Sequence, residues 1–312
     1  MEEGRGNRGY PAPIWPGSIR IGWIGVGVMG AAMAARLEAA GYDLTIYART
    51  TSKASGLHGR LVASPAAAAA SSDVVFTMVG HPSDVRAAIL DPVSGALPAL
   101  PSGGVLVDCT SSEPALAVAI AAAARKKGCF AVDAPVSGGD VGARDGKLAI
   151  LAGGEQEVIN WLSPLFDLLG KVTWLGAPGS GQSGKIANQI AVAGSVVGVS
   201  EALVFARKVG LDEKAFLEAV RSGAAGSKVM EIFGERILQR DFKPGGFAEY
   251  LVKDLGMGLE RGGGGGPEEM VVLPGGALFQ QLYLGMVANG DGKMGMQGLI
   301  TVFERMNGMA KE

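Results

Sequence analysis

The chain is poor in the side chains that most often do chemistry, with two cysteines and two histidines among its 312 residues. Two thiols, Cys109 and Cys129, cannot build a disulfide scaffold and fit a reducing compartment. No metal site is expected. Charge is close to balanced, at a formal net charge of −2, which leaves no electrostatic footprint for nucleic acid. The first residues, MEEGRGNRGYPAPIWPGS, lack an apolar h-region and so do not form a secretory signal. Their early glutamates and their prolines also argue against an amphipathic transit helix. Residues 1–17 are expected to be a flexible tail on a cytoplasmic protein, with a mitochondrial location as the alternative if the N-terminus is incomplete. The longest apolar stretch, Ile186 to Ala206, is interrupted by Asn188, Gln189, Ser195, Ser200 and Glu201. It suits a helix buried between domains or subunits, and no membrane span is expected.

Glycine, by contrast, is abundant at 50 residues, and its placement is most informative in residues 22–37, GWIGVGVMGAAMAARL. Gly25, Gly27 and Gly30 lie between an apolar strand pattern, Ile19 to Ile24, and a helix of good formers, Ala31 to Ala40, stopped by Gly41. A dinucleotide fold needs each glycine separately: the first for a tight turn, the second for approach to a pyrophosphate, the third for helix-on-strand packing. The loop residues Val26, Val28 and Met29 share that cradle, and the helix N-terminus offers N–H groups to the phosphates. The next apolar run, Leu44 to Tyr47, should be the second parallel strand. Where an NAD enzyme carries Asp or Glu to read the ribose, this chain has Arg49 and Thr50, with Lys53 close behind. A guanidinium fork beside a hydroxyl suits a 2′-phosphate, so NADP(H) is favoured and NAD(H) is the alternative.

Strands alternate with helices from residue 18 to about 176: Val74 to Val79, Val105 to Asp108, Phe130 to Ala134, Leu148 to Ala152 and Val172 to Leu175. The pattern predicts a Rossmann-type, doubly wound, mostly parallel α/β sheet. Beyond Gly184 only helical runs remain, beginning with a long one over 185–208. The expected organisation is a tail over 1–17, an NADP-binding domain over 18–178 and an all-helical substrate and dimerisation domain over 179–312, joined by the long interdomain helix. The GGGGGPEE stretch at 262–269 must break any helix there, and its glycines are expected to be exposed or mobile.

A nicotinamide enzyme acting on a carbonyl or alcohol needs a group that moves a proton. His58 and His81 fall in loops on the adenosine and pyrophosphate side, which leaves lysine or tyrosine, with Lys185, in GSGQSGKIANQ, the outstanding candidate. Lys185 and Asn188 share a face of one helix at i, i+3 and can converge on one small substrate. Two segments leave the ends of successive strands, DCTSSEP over 108–114 and DAPVSGGDVGARDGKLAILAGG over 133–154. Ser137, Gly138 and Gly139 in the second would make a compact anion nest, for which a small carboxylate substrate is the natural occupant.

These motifs, together with FAEYLVKDLGMGLE in the helical half, resemble the β-hydroxyacid dehydrogenase family from about residue 19 onward. The resemblance implies hydride transfer between a nicotinamide and a small hydroxy acid, oxo acid or semialdehyde, with reduction of glyoxylate or succinic semialdehyde favoured. It implies Lys185 as proton donor or acceptor, and Ser137, Gly138, Gly139 and Asn188 as substrate holders. Val79, Thr110 and Ser111 would lie toward the cofactor, and Lys253 would reach it from the helical domain. It also implies a homodimer or homotetramer. A catalytically silent, cofactor-binding scaffold is the alternative; such a protein would be expected to lose the lysine while keeping the glycines.

Overall fold

The computed structural model describes residues 13–261 and 271–309. Most of the expected N-terminal tail and the 262–266 glycines lie outside the described residues. The chain divides into two compact units, with the division between Lys185 and Ile186.

The first unit opens with β1 (Ile21–Ile24), α1 (Val28–Ala39), β2 (Leu44–Tyr47), β3 (Arg60–Val62), α2 (Pro65–Ala69), β4 (Val74–Thr77) and α3 (Pro82–Leu90). It continues through α4 (Ala96–Ala99), β5 (Val105–Asp108), α5 (Pro114–Lys126), β6 (Phe130–Asp133), β7 (Val136–Ser137), α6 (Gly139–Asp145) and β8 (Leu148–Gly153). The helices α7 (Gln156–Trp161) and α8 (Ser163–Leu169) then lead to β9 (Gly170–Gly176). Among the described residues these strands form a nine-stranded sheet in the order β3-β2-β1-β4-β5-β6-β8-β7, with β9 pairing β8. The first six strands of that order run parallel, β8 runs antiparallel to β6 and β7, and β9 is parallel to β8.

Burial on both faces explains why the central strands β1, β4 and β5 are continuous apolar runs rather than alternating ones. Trp23, Phe76, Val105 and Val107 face one core with Met33 and Leu37 of α1 and Leu165, Phe166 and Leu169 of α8. Ile24, Val75 and Leu106 face the other, with Val85 and Ile89 of α3 and Leu116 and Ile120 of α5. The short edge strand β3 escaped the sequence reading because Arg60 and Leu61 are exposed and give no apolar run.

The second unit carries α9 (Ser180–Lys208) from Ile186 onward, then α10 (Glu213–Val220), α11 (Lys228–Leu238), α12 (Ala248–Arg261), α13 (Pro274–Ala288) and α14 (Ile300–Met306). Ala193, Val196, Val199 and Leu203 of α9 pack with Leu251, Leu255, Tyr283, Met286 and Phe303 in its core. By length and composition α9 could cross a membrane, yet half of its most apolar window is buried within the protein, the pattern of a core helix. It is not apolar-covered all round, since Ala187, Ala191, Gly198 and Phe205 are exposed.

One expectation needs correction. The long helix begins at Ser180, so Lys185 stands in its second turn rather than at its start. The glycines of GSGQSG suggest a loop, but Gly181 serves close packing of backbone on backbone, and Gly184 makes room for the Leu175 side chain. A Cβ on Gly181 would sit 2.4 Å from the carbonyl oxygens of Asp133 and Leu151.

Candidate active site

The glycine loop is built as its spacing requires. Gly25 has φ +98°, and a Cβ there would lie 2.2 Å from the Met78 carbonyl oxygen. A Cβ on Gly30 would lie 2.2 Å from the Gly25 carbonyl oxygen, so α1 rests directly on the turn. Gly27 differs: a Cβ there would meet nothing within 4 Å, which leaves open space over the start of α1. Gly27 is also the N-cap of α1, makes no side-chain capping bond, and is followed by no acidic residue in the first turn. Helix N–H groups without a capping side chain, facing space that a glycine keeps clear, fit the pyrophosphate of a dinucleotide. The Trp23 indole donates to the Gly25 carbonyl oxygen at 2.9 Å and stacks on Phe76, which stiffens the loop from below. Val26 is buried, Met29 half-buried and Val28 exposed.

The remaining cofactor candidates of the first unit follow the carboxyl ends of β2, β4 and β5, where an open α/β sheet places ligands. Arg49 and Thr50 follow β2 and are exposed, as is Lys53 just beyond. Arg49 Nη1 lies 3.3 Å from Asp84 Oδ1 on α3. After β4, the Val79 N–H donates to Thr110 Oγ1 at 3.0 Å, tying the β4 and β5 ends together. Thr110 is buried and Ser111 half-buried. Both histidines sit in loop positions: the His58 N–H donates to Glu38, and the His81 N–H donates to Asp84 at the start of α3. Cys109 is a packed thiol rather than a reactive one, since burial, with Asp108 beside it, pushes its pKa above the ordinary thiol range.

Two buried carboxyls end β5 and β6, side by side in register, Asp108 with Asp133. Asp108 Oδ1 accepts the Thr77 hydroxyl at 2.6 Å and the Thr110 N–H at 3.0 Å. Burial outweighs these donors, and Asp133 adds repulsion, so Asp108 is pushed up to about 6. Asp133 is also raised by burial, against the N–H groups it accepts from Gly179 and Gln182. Gln182 in turn accepts the Ser112 N–H at 2.8 Å and donates to the Thr110 carbonyl at 2.7 Å. Lys185 follows on the same helix with 8% of its surface exposed.

Ser137 ends β7, and Gly138 and Gly139 follow with φ +136° and +65°. These two successive left-handed residues turn the chain into α6. In the second unit the Asn188 amide donates to Gln189 Oε1 at 2.9 Å, and Gln189 Nε2 donates to Asp254 Oδ2 at 2.8 Å. Lys253 Nζ lies 2.9 Å from Asp254 Oδ1 and 5.9 Å from the Tyr250 ring centroid. Asn188 and Lys253 thus belong to one side-chain chain through Gln189 and Asp254. No local motif marks Asp108, Asp133, Gln182, Gln189 or Asp254 as a site residue in the sequence. An acidic residue closing a buried strand, as in VLVD and FAVD, was the available signal, because a charge placed there requires partners.

Comparison with known proteins decides the family. Residues 20–176 match the family described as the NAD binding domain of 6-phosphogluconate dehydrogenase. Residues 179–303 match the family described as NAD-binding of NADP-dependent 3-hydroxyisobutyrate dehydrogenase. The chain belongs to the β-hydroxyacid dehydrogenase family. Among similar β-hydroxyacid dehydrogenases is the probable 3-hydroxyisobutyrate dehydrogenase-like 3, mitochondrial, of Arabidopsis thaliana. It is 53% identical over 304 residues, covering 96% of this chain and 92% of that protein. The 2-hydroxy-3-oxopropionate reductase of Escherichia coli is 35% identical over 291 residues, 92% of this chain and 98% of that protein. A solved 3-hydroxyisobutyrate dehydrogenase of Mycobacterium tuberculosis, in a structure with L-serine, gives a TM-score of 0.80 at 26% identity, covering 91% and 99% of the two chains. As a β-hydroxyacid dehydrogenase, this protein is an NAD(P)-dependent oxidoreductase acting on CH–OH groups.

Proposed function

We propose that the protein is an NADPH-dependent reductase of a small carboxylate-bearing oxo acid or semialdehyde, with glyoxylate and succinic semialdehyde as the favoured substrates. The observation that carries this reading is the burial of Lys185, at 8% exposure, one turn beyond the helix start that Gln182 holds against the ends of β5 and β6. Lysine is almost never fully buried unless it is paired, so a lysine buried beyond these strand ends is a held group rather than a solvated one. In this reading Lys185 gives a proton to the carbonyl oxygen on reduction and takes it back on oxidation. The bound nicotinamide supplies or accepts the hydride. Ser137, Gly138, Gly139 and Asn188 hold the substrate and its carboxylate. Gly25, Val26, Gly27, Val28, Met29 and Gly30 cradle the pyrophosphate. Arg49, Thr50 and Lys53 read the 2′-phosphate, while Val79, Thr110, Ser111 and Lys253 line the cofactor.

The names of the relatives support a short hydroxy or oxo acid, and the Arg49–Thr50 pair, where an acidic residue would select NAD, supports NADPH. The second reading, oxidation of 3-hydroxyisobutyrate with NAD, is favoured by the name of the Arabidopsis relative. A panel of short oxo acids and hydroxy acids, assayed with both cofactors, tests the pair. Preferred turnover of glyoxylate or succinic semialdehyde with NADPH is expected. Preferred turnover of 3-hydroxyisobutyrate with NAD would replace the first reading by the second, and cofactor binding with no turnover would favour a silent scaffold. Lys185→Met should lower kcat by about a hundredfold while leaving cofactor affinity within about threefold.

We further propose a homodimer or dimer of dimers through the helical unit. Phe205, Leu211 and Leu278 of this unit are 66%, 51% and 57% exposed, and a partner subunit packed there would cover apolar surface. A monomer mass by light scattering at micromolar concentration would refute this. Three Arabidopsis relatives carry mitochondrial in their names, which is compatible with the mitochondrial alternative and gives the cytoplasmic one no support.

A further inference from the structure

A helix leaves its first N–H groups without partners inside the helix, and in α9 that of Gln182, with that of Gly179 just before the helix, is met from the sheet. Asp133, 4% exposed at the end of β6, accepts the Gly179 N–H on Oδ1 at 2.8 Å and the Gln182 N–H on Oδ2 at 2.9 Å. The approach is backbone on backbone. A Cβ on Gly153 would lie 2.6 Å from the Gly181 nitrogen and 2.7 Å from Asp133 Oδ1. Gln182, with no exposed surface, fastens the same turn to the loop after β5 through the Ser112 N–H and the Thr110 carbonyl. Lys185 lies three residues after Gln182 and four after Gly181, so it shares their helix face.

We propose that Asp133, acting with Gln182, is a positioning residue for Lys185, seating the first turn of α9 on the ends of β5 and β6 so that the lysine is presented at one height and one rotation. The proposal rests on the reading of Lys185 as the proton-transfer group. A buried carboxylate is a weak way to stabilise a fold, because its desolvation consumes most of what its bonds return. Placement is what it does well: two oxygens bonded to two N–H groups of one turn fix the turn in direction as well as in distance. Displacing a reacting group by about 1 Å can cost about a hundredfold in rate.

The test is a double-mutant cycle on the panel member that the parent turns over fastest, using Asp133→Asn, Lys185→Met and the double variant. Asp133→Asn should lower kcat by about tenfold to a hundredfold while KM and NADPH affinity stay within about threefold. The double variant should be no slower than Lys185→Met alone, since Asp133 acts through the lysine. If Asp133→Asn does not fold, Gln182→Met enters the same cycle in its place. Losses that multiply in the double variant, or a rise in KM with kcat unchanged, would overturn the positioning role and leave the lysine assignment standing. A Lys185→Met enzyme with parental kcat, or a parent inactive on the whole panel, would instead overturn the functional reading, and this proposal with it.

Discussion

The Arg49 guanidinium, at the end of β2, pairs with Asp84 on α3 across 3.3 Å while 83% of the arginine side chain stays exposed. A pair so open to water is worth under about 1 kcal/mol, so Asp84 holds Arg49 without competing strongly for it. A 2′-phosphate offers the fork two or more charge-assisted bonds, each stronger than this one. Arg49→Asp removes those bonds and adds repulsion. NADPH affinity should fall by about a hundredfold and NADH affinity by less than about threefold, measured by fluorescence titration of each cofactor. Equal losses for the two would show that Arg49 does not read the phosphate.

The glycine loop separates folding from binding. Gly27→Ala adds a methyl group where nothing lies within 4 Å, so the urea midpoint should match the parent while dinucleotide affinity drops by about tenfold or more. Gly30→Ala drives a methyl group to 2.2 Å from the Gly25 carbonyl oxygen and should destabilise the fold by about 2 kcal/mol or more. A Gly27→Ala protein that binds cofactor as the parent does would mean that the open space is not the pyrophosphate site.

Local chemistry made this loop legible in the sequence, because turn, approach and packing all fall within a few residues. The parallel sheet was legible for a similar reason: strands buried on both faces, such as VVFT and VLVD, read as unbroken apolar runs. What stayed hidden was long-range. Asp133 meets the Gly179 N–H from 46 positions away, and no window of sequence connects them. The start of α9 is hidden for that reason, since glycines argue for a loop until the strand ends on which Gly181 packs are known. The exposed edge strand β3 was lost to the opposite problem, having no core face to give it a pattern.

Asp108 should make stability depend on pH in an identifiable window. Burial lifts this carboxyl from an ordinary value of 3.8 to about 6, so the folded chain holds the proton more tightly than the unfolded chain. Its stabilisation is complete below about pH 4 and is lost as pH rises through about 6, a loss on the order of 3 kcal/mol. Asp108→Asn keeps an acceptor for Thr77 and Thr110 but cannot titrate. Relative to the parent, the variant should gain about 3 kcal/mol between pH 4 and about pH 6.5, read from urea unfolding at each pH. A stability difference that stays flat across that range would refute the assignment.

The helical unit has its own buried charge. Glu304, 4% exposed, accepts Arg207 Nη1 at 2.7 Å and Arg240 Nη1 at 2.7 Å and 2.8 Å. Arg240 is held there at φ +58°, a conformation rare for an arginine, with its guanidinium 4.9 Å from the centre of the Phe242 ring. The two arginines differ in what else they hold. Arg207 also makes two bonds to Glu213, whereas Arg240, among the described residues, has its carboxylate contacts with Glu304. Truncating the shared acceptor leaves both guanidinium groups short of a partner, but each is partly exposed and water recovers some of the loss. Glu304→Ala should therefore destabilise the protein by about 2 kcal/mol, less than the 3 to 5 kcal/mol of a fully buried pair. Glu304→Gln, which keeps one acceptor oxygen but no charge, should cost about half as much. Arg240→Gly should cost less than Arg240→Ala, because glycine accepts the positive φ that alanine resists. Urea midpoints for the four variants test the ranking, and a Glu304→Ala protein within about 0.5 kcal/mol of the parent would show that this cluster is ornamental to the unit's stability.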